Sequence, residues 1–297
     1  MNYVITGGAG NISKPLSLSL LQKGHQVTVI GRSKANLQEL IDAGAKTAIG
    51  SVDDVDFLTQ SFTGADAVYA MVPPNFGVAD WKAYIGTVGE NYARAIAASA
   101  VKQVVFLSSV GADLSDGCGP VTGLYRAEQA LQKLKEVNIV YLRPPYFYNN
   151  LFANIGLIKN MGIMGSNFSS PAGKFPIVAP IDIAEVAASY LLNPNFQGHQ
   201  VHYLSSDETS TDEIAAAIGK AIGKPDLKWV QFSDEQTLNG MLQAGLPEEI
   251  AKNYTEMGAA IQSGKMQAHY FDNRPTQLGK IKLADFAAQF AAVYTNS

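Results

Sequence analysis

A glycine-rich turn near the start of the chain has the residue types and spacing of a phosphate-binding loop. An apolar run ending at Thr6 predicts a strand, and Gly7, Gly10 and Ser13 follow it as G-x-x-G-x-x-S. Gly7 permits a tight turn, and Gly10 has no side chain, so a pyrophosphate can approach the backbone. The next helix directs unpaired N–H groups at the anion. Because the spacing differs from the dinucleotide pattern G-x-G-x-x-G, an ordinary glycine turn is the alternative.

Two cations follow the second predicted strand, where the ribose of a dinucleotide would lie. Proteins that prefer NAD place an acidic residue here, whereas this chain has Gly31, Arg32, Ser33 and Lys34. A guanidinium and an ammonium suit the additional 2′-phosphate of NADP. The sequence therefore favours NADPH over NADH, and a pair of solvated cations at a helix start is the alternative.

Further candidate cofactor residues lie in the glycine-rich turn and after the other strands, because ligands of a parallel sheet bind at the carboxyl ends of its strands. They are Asn11, Ile12, Ser51, Val52, Ala70, Met71, Val72 and Ser108. Ser108 is interpreted as a pocket hydroxyl rather than a nucleophile, because no G-x-S-x-G elbow surrounds it. Asp54 and Asp182 precede amphipathic segments and are interpreted as helix caps.

The elements that position these residues alternate between strands and helices. Short β-rich runs separated by helical patterns predict right-handed βαβ units and a doubly wound parallel sheet of the α/β class. The predicted strands cover residues 2–6, 26–30, 46–49, 67–72, 103–107 and 139–142. Residues 1–150 are predicted to form the nucleotide-binding domain, with its sheet completed by about 176–204. A smaller, mostly helical lobe is expected from 151–175 and 205–297.

Composition excludes several other classes of protein. The 297 residues are 47% hydrophobic and carry a net charge of −4, which supplies a large core but no basic excess for nucleic acid or an anionic membrane. Cys118 is the single cysteine and the four histidines are scattered, so neither an internal disulfide nor a metal site is expected. No apolar span of 18 residues and no signal peptide is evident, which predicts a cytoplasmic protein.

An ordered series of motifs along nearly the whole chain resembles the NmrA-like family of atypical short-chain dehydrogenases/reductases. The motifs lie at residues 6–13, 31–32, 54–58, 64–68, 106–109, 125–131, 142–151 and 181–187. The family includes bacterial NAD(P)H:quinone oxidoreductases, so the resemblance implies a Rossmann-type fold and a bound NAD(P) cofactor. Ser13 replaces the third glycine of the turn, and Ser51 stands where many members have an aspartate beside the adenine.

Tyr125 is the candidate catalytic residue, and its surroundings depart from the pattern of active short-chain reductases. Those enzymes use Tyr-x-x-x-Lys, in which the lysine makes the tyrosine more acidic and binds the ribose. Here the matching position is Gln129, which has no charge, and Arg126 projects from another face of the helix. Tyr125 is interpreted as contacting the nicotinamide rather than donating a proton. A tyrosine that packs only on its neighbours is the alternative.

An aromatic segment after the sixth strand supplies the candidate substrate residues, Tyr146, Tyr148 and Asn150. Such a wall suits a flat, apolar acceptor, and a small core cluster is the alternative. The leading hypothesis is hydride transfer from NADPH to a quinone-like or conjugated carbonyl compound. The alternative is a non-catalytic NAD(P) sensor that binds a partner protein. A reductase of the isoflavone-reductase kind is a third and less favoured hypothesis. A small-molecule substrate is expected, and a homodimer or regulatory partner is compatible with the sequence.

Overall fold

The computed structural model describes residues 1–297 and is built around a seven-stranded sheet. Its strands are β1 (Asn2–Ile5), β2 (Gln26–Gly31), β3 (Lys46–Ile49), β4 (Ala67–Ala70), β5 (Gln103–Leu107), β6 (Asn138–Arg143) and β10 (His199–Tyr203). The strand order is β10-β6-β5-β4-β1-β2-β3, and the pairs among β1 to β6 are all parallel. The predicted doubly wound α/β fold is therefore confirmed, with six strands within two residues of their predicted bounds.

The chain divides into two compact units. The first comprises Met1–Ser115, Pro120–Arg143 and Ile183–His202, and the second comprises Asp116–Gly119, Pro144–Asp182 and Tyr203–Ser297. Residues 144–150, which the sequence assigned to the nucleotide-binding domain, thus fall in the second unit. The physical reason is strand pairing, because β7 (Tyr146–Phe147) pairs in parallel with β9 (Phe175–Val178).

Helices of the first unit connect its strands. They are α1 (Ser13–Gln22), α2 (Gln38–Asp42) preceded by a 3-10 turn (Ala35–Leu37), α3 (Val55–Phe62), α4 (Trp81–Ser99), α5 (Pro120–Leu131) and most of α7 (Pro180–Leu192). Asp54 accepts a hydrogen bond from Phe57 N at 3.0 Å, which confirms its predicted capping role at α3.

Three glycines set the distance between α4 and α5. A Cβ atom on Gly89 would overlap the Ala127 backbone, and one on Gly123 would lie 2.6 Å from Ile85 Cβ. On Gly86 it would lie 3.2 Å from Arg126 Cβ. Because these glycines carry no side chain, the two helices pack in close contact, which fixes the helix that carries Tyr125.

The second unit contains two small sheets and six helices. Its first sheet has the order β11-β9-β7, with β11 (Asp207–Thr209), and its second pairs β8 (Met164–Ser166) with β12 (Trp229–Gln231). The helices are α6 (Ile155–Met161), α8 (Thr211–Ala221), α9 (Asp234–Gln243), α10 (Glu248–Gln262), α11 (Ala268–Asp272) and α12 (Leu283–Thr295), and a 3-10 helix (Tyr148–Asn154) precedes α6. Of the predicted completing segment, β10 joins the large sheet, whereas β9 does not.

The interpretation of Asp182 as a helix cap is wrong. Asp182 is buried inside α7, where its carboxylate accepts hydrogen bonds from Ser206 Oγ at 2.5 Å, Lys280 N at 3.2 Å and Ile281 N at 3.1 Å. Two residues nearly one hundred positions further along the chain therefore donate to the carboxylate, and local spacing does not reveal such contacts. None of the helices is both long and apolar enough to cross a bilayer.

Candidate functional site

The glycine-rich turn has a backbone that only small residues tolerate. Gly7 and Gly8 have φ values of +87° and +52°, and Gly10 N donates to Gly7 O at 3.0 Å. A Cβ on Gly7 would lie 2.6 Å from Ser13 Oγ and 2.8 Å from Met71 Sδ. Ser13, which replaces the third glycine of the motif, donates from Oγ to Thr6 O at 2.8 Å. The serine thus ties the start of α1 to the end of β1.

The N-terminus of α1 is available to an anion. No side chain caps the helix at its N-cap residue Ile12, and no acidic residue lies in its first turn. Helix N-termini carry unpaired N–H groups and a partial positive charge, which bind phosphate or carboxylate groups. The turn between β1 and α1 therefore has an uncapped helix start, and phosphate binding at this turn stays a prediction.

A cleft of about 540 Å³ in the first unit begins at this turn. Its lining comes from the glycine-rich turn, the ends of β2 and β3 and the segment between β4 and α4. Six residues that the sequence singled out line it, namely Gly7, Gly10, Arg32, Ser33, Ser51 and Val52. The structure brings these positions together because β1, β2 and β3 are neighbours whose carboxyl ends share one edge.

Other predicted cofactor residues are not part of the cleft lining. Asn11 and Lys34 are exposed beside it, while Met71 and Val72 are half-buried. Ile12 and Ala70 are buried, with 7% and 0% of their surface exposed, and therefore serve the core. Their contact with a cofactor stays a prediction, and for Ala70 a side-chain contact would need the core to open.

Four polar lining residues were not singled out by the sequence. They are Asn36, Asp53, Asn75 and Tyr84. Burial raises the pKa of the Tyr84 phenol above its ordinary value and the Asp53 carboxylate raises it further, whereas Arg32 and a hydrogen bond with Asn75 lower it. Because Tyr84 fits the helical apolar spacing of α4, the sequence does not reveal that it lines the cleft. Its place at the first turn of the helix after β4 is the signal that could have found it.

The Ser108 hydroxyl is committed to a buried ion pair in the first unit. Ser108 Oγ donates to Glu128 Oε1 at 2.5 Å. Arg143 donates from Nε to Glu128 Oε1 at 3.0 Å and from Nη2 to Oε2 at 2.6 Å, and its Nη1 lies 3.6 Å from Asp113 Oδ1. Ser108 is 4% exposed and lies outside the cleft lining. The network joins the ends of β5 and β6 to α5, so Ser108 holds the scaffold instead of presenting a free hydroxyl.

Tyr125 lies on α5 one turn before Glu128 and is half-buried. Gln129 is exposed, and its Nε2 donates to Gln132 Oε1 at 3.4 Å. Arg126 is exposed and its stem packs against Gly86. No lysine therefore occupies the position one turn after Tyr125, as the sequence indicated. Tyr125 is not part of the cleft lining, and its catalytic role stays a prediction.

The three candidate substrate residues lie in the second unit in unlike surroundings. Tyr148 is fully buried and stacks on Phe286 with ring centroids 4.8 Å apart, so it offers no surface to a ligand. Tyr146 packs against Phe168 and Phe175, and burial raises its pKa above the ordinary value. Asn150 is exposed. Of these three residues, Tyr148 belongs to a core cluster, which was the alternative to substrate binding, because its ring is buried in aromatic stacking within the second unit.

Comparison with known proteins places these observations in a family. A model of the NmrA-like family matches residues 2–278. An NAD(P)H azoreductase of Xenophilus azovorans is 24% identical over 295 residues, covering 98% of this chain and 98% of the relative.

Two solved structures share the fold. Triphenylmethane reductase of Citrobacter sp. has a TM-score of 0.79 at 20% identity and covers 98% of this chain and 100% of that one. An NADPH-dependent quinone oxidoreductase of Escherichia coli, solved with NADPH, has a TM-score of 0.80 at 19% identity and covers 97% and 99%. These likenesses confirm the predicted fold along nearly the whole chain.

Proposed function

Because this chain belongs to the NmrA-like family, we propose that it is an NADPH-dependent reductase of quinone-like or other conjugated acceptors. The observation that carries the proposal is the cleft of about 540 Å³ that joins the glycine-rich turn, the free N-terminus of α1 and Arg32. A pyrophosphate fits at the turn, and a 2′-phosphate fits beside the guanidinium. NADPH supplies the hydride when bound, and the protein binds, orients and shields it.

The choice of acceptor follows from the groups that could supply a proton. Ser108 is bonded to Glu128, and Tyr125 has no lysine one turn later. Without a strong general acid, an acceptor that takes hydride without prior protonation is favoured over a simple ketone. The relatives named as reductases of azo compounds, triphenylmethane dyes and quinones act on conjugated compounds, which supports this class.

The hydrogen bond from Ser108 to Glu128 and the absence of a lysine one turn after Tyr125 also favour a second candidate function. This function is a non-catalytic NAD(P) sensor that binds a partner protein. A cofactor cleft without a general acid could report the cofactor instead of using it. Addition of NADPH and a panel of quinones to the pure protein, followed by absorbance loss of NADPH, separates the two. Turnover supports the reductase, whereas tight NADPH binding without turnover of any quinone supports the sensor.

The Arg32→Ala variant is expected to bind NADPH about 10- to 100-fold more weakly, because a charge-assisted bond to the 2′-phosphate contributes roughly 1.5–3 kcal/mol. NADH affinity should change little, since NADH has no 2′-phosphate. Calorimetric titration of both cofactors measures this. Arg94→Ala is the matched control, because Arg94 is an exposed arginine on α4 outside the cleft lining. Equal wild-type affinities for NADPH and NADH would contradict the proposed preference.

The Tyr125→Phe variant is expected to lose less than about tenfold in turnover of a quinone, against ~10²–10⁴-fold for removal of a general acid. The reason is that Gln129 supplies no positive charge and a quinone accepts hydride without prior protonation. Steady-state rates of wild type and variant measure the effect, with NADPH affinity as the control. A thousandfold loss at unchanged affinity would make Tyr125 the catalytic acid.

A further inference from the structure

The thioether of Met71 lies against the glycine-rich turn of the first unit. Met71 follows β4 directly, and a Cβ atom on Gly7 would lie 2.8 Å from its Sδ and 2.9 Å from its Cγ. Gly7 has a φ of +87° and lines the cleft. The sulfur is therefore packed against the residue at which the proposed phosphate-binding turn begins.

Three hydrogen bonds fix the backbone of Met71 in this place. Met71 N donates to Thr6 Oγ1 at 2.8 Å, and Met71 O accepts from Tyr92 Oη at 2.7 Å and from Thr6 Oγ1 at 3.4 Å. Thr6 and Tyr92 are both fully buried. Because buried partners hold both backbone groups of Met71, a change in the size of its side chain is passed on to the turn.

Met71 is open to a small oxidant, because its side chain is only half-buried. The chain has seven methionines, and only Met1 and Met71 belong to the first unit. Cys118, the single cysteine, is fully buried and belongs to the second unit. Met71 is therefore the one sulfur of the first unit that is both partly accessible and placed beside the cleft.

An oxygen added to the Met71 sulfur would disturb the turn. A sulfoxide is larger and more polar than a thioether and needs a hydrogen-bond donor. The two hydroxyls beside it are already used, because Ser13 Oγ donates to Thr6 O and Thr6 Oγ1 donates to Met71 O. An acceptor without a donor is unfavourable here, so the oxygen displaces Gly7 or takes N–H groups of the turn that a phosphate would use.

We propose that Met71 is a site of reversible oxidation by hydrogen peroxide, and that its sulfoxide weakens the binding of NADPH. One peroxide oxygen is transferred to Sδ, so an S–O bond forms as the O–O bond breaks, and water leaves. The thioether loses two electrons and the peroxide gains them. This inference rests on the proposed function, because it needs NADPH at the glycine-rich turn.

The test measures the NADPH dissociation constant before and after treatment with hydrogen peroxide, so each protein is its own reference. Calorimetry measures binding, and peptide mass spectrometry follows the added oxygen at each methionine. We expect the wild-type constant to rise about 10- to 100-fold, the change for losing one hydrogen bond to a charged phosphate. Methionine sulfoxide reductases should restore the starting value.

The Met71→Leu variant removes the sulfur at nearly constant volume. Whatever its starting value, the dissociation constant of this variant should not change on peroxide treatment. Met161→Leu is the matched control, because Met161 is 62% exposed, belongs to the second unit and lies outside the cleft lining. The control variant should lose NADPH affinity on oxidation as wild type does.

Three results would overturn this inference and leave the proposed function standing. They are unchanged NADPH binding by wild type that carries the Met71 sulfoxide, a Met71 that stays unoxidised while Met161 is oxidised, and an equal loss in Met71→Leu and wild type. The first two need no variant, so they apply even if Met71→Leu does not fold. If untreated wild type does not bind NADPH, the proposed function and this inference are both wrong.

Discussion

The Gly10→Val variant is expected to lose at least about 100-fold in NADPH affinity while keeping its fold. Gly10 lines the cleft and is exposed, and a Cβ there would meet only Gly7 O, at 3.1 Å. The protein therefore has room for the first carbon, but the branched methyl groups extend into the approach of the pyrophosphate. Loss of two charge-assisted bonds at roughly 1.5 kcal/mol each accounts for a change of this size.

Calorimetry measures the affinity, and circular dichroism reports whether the variant is folded. Gly240→Val is the matched control, because Gly240 is an exposed helical glycine at which an added Cβ would meet no atom within 4 Å. That variant should bind NADPH like wild type. Normal binding by folded Gly10→Val protein would show that the phosphates lie away from this turn and would remove the main support for the proposed cofactor site.

The Glu128→Ala variant is expected to lower the free energy of unfolding by about 3–5 kcal/mol, the range for breaking a buried ion pair. Glu128 and Arg143 are both buried, with side chains 1% and 7% exposed. Removal of the carboxylate leaves the guanidinium without its main partner and leaves the Ser108 hydroxyl without its hydrogen-bond acceptor. An uncompensated buried charge costs far more than the pair contributes, so the effect is large although the intact pair itself adds little.

Urea denaturation of wild type and variant measures this difference. The control is Glu248→Ala, which removes one partner of an exposed i,i+4 pair with Lys252. Exposed pairs contribute little because water screens them, so this variant should unfold at the wild-type urea concentration. If the Glu128→Ala variant also unfolds at the wild-type urea concentration, water reaches Arg143 and the buried network does not stabilise the fold.

Much of the proposed cofactor site could be predicted because its determinants are local. The strand, the glycine-rich turn and the start of α1 lie within about a dozen residues, and their geometry follows from Gly7 and the uncapped helix. The alternation of strands and helices predicts a parallel sheet, and a parallel sheet brings Arg32 and Ser51 to the same edge. Position in the chain was therefore enough to identify six of the seventeen residues that line the cleft.

The sequence could not identify the remaining lining residues, because residue type alone does not show which partner a side chain takes. Asp53 and Tyr84 line the same cleft because α4 lies against the turn after β3, where Asn91 donates to Val52 O and Asp53 O. Tyr148 lies in an aromatic segment that suggested contact with a substrate. Its ring instead stacks on Phe286, 138 positions further along the chain, inside the second unit. Such contacts form between segments that are distant in sequence, so spacing carries no signal of them.

By itself, the sequence determined the fold, the glycine-rich turn at the carboxyl end of β1 and the presence of cations instead of an acid after β2. The tertiary structure decided which polar groups stay available for chemistry. Ser108 follows β5 directly, as predicted, yet its hydroxyl donates to Glu128. The Asp182 carboxylate accepts from the backbone N–H groups of residues 280 and 281 instead of capping a helix. The physical reason is that a buried polar group must find a hydrogen-bond partner, and that partner is set by packing rather than by neighbours in sequence.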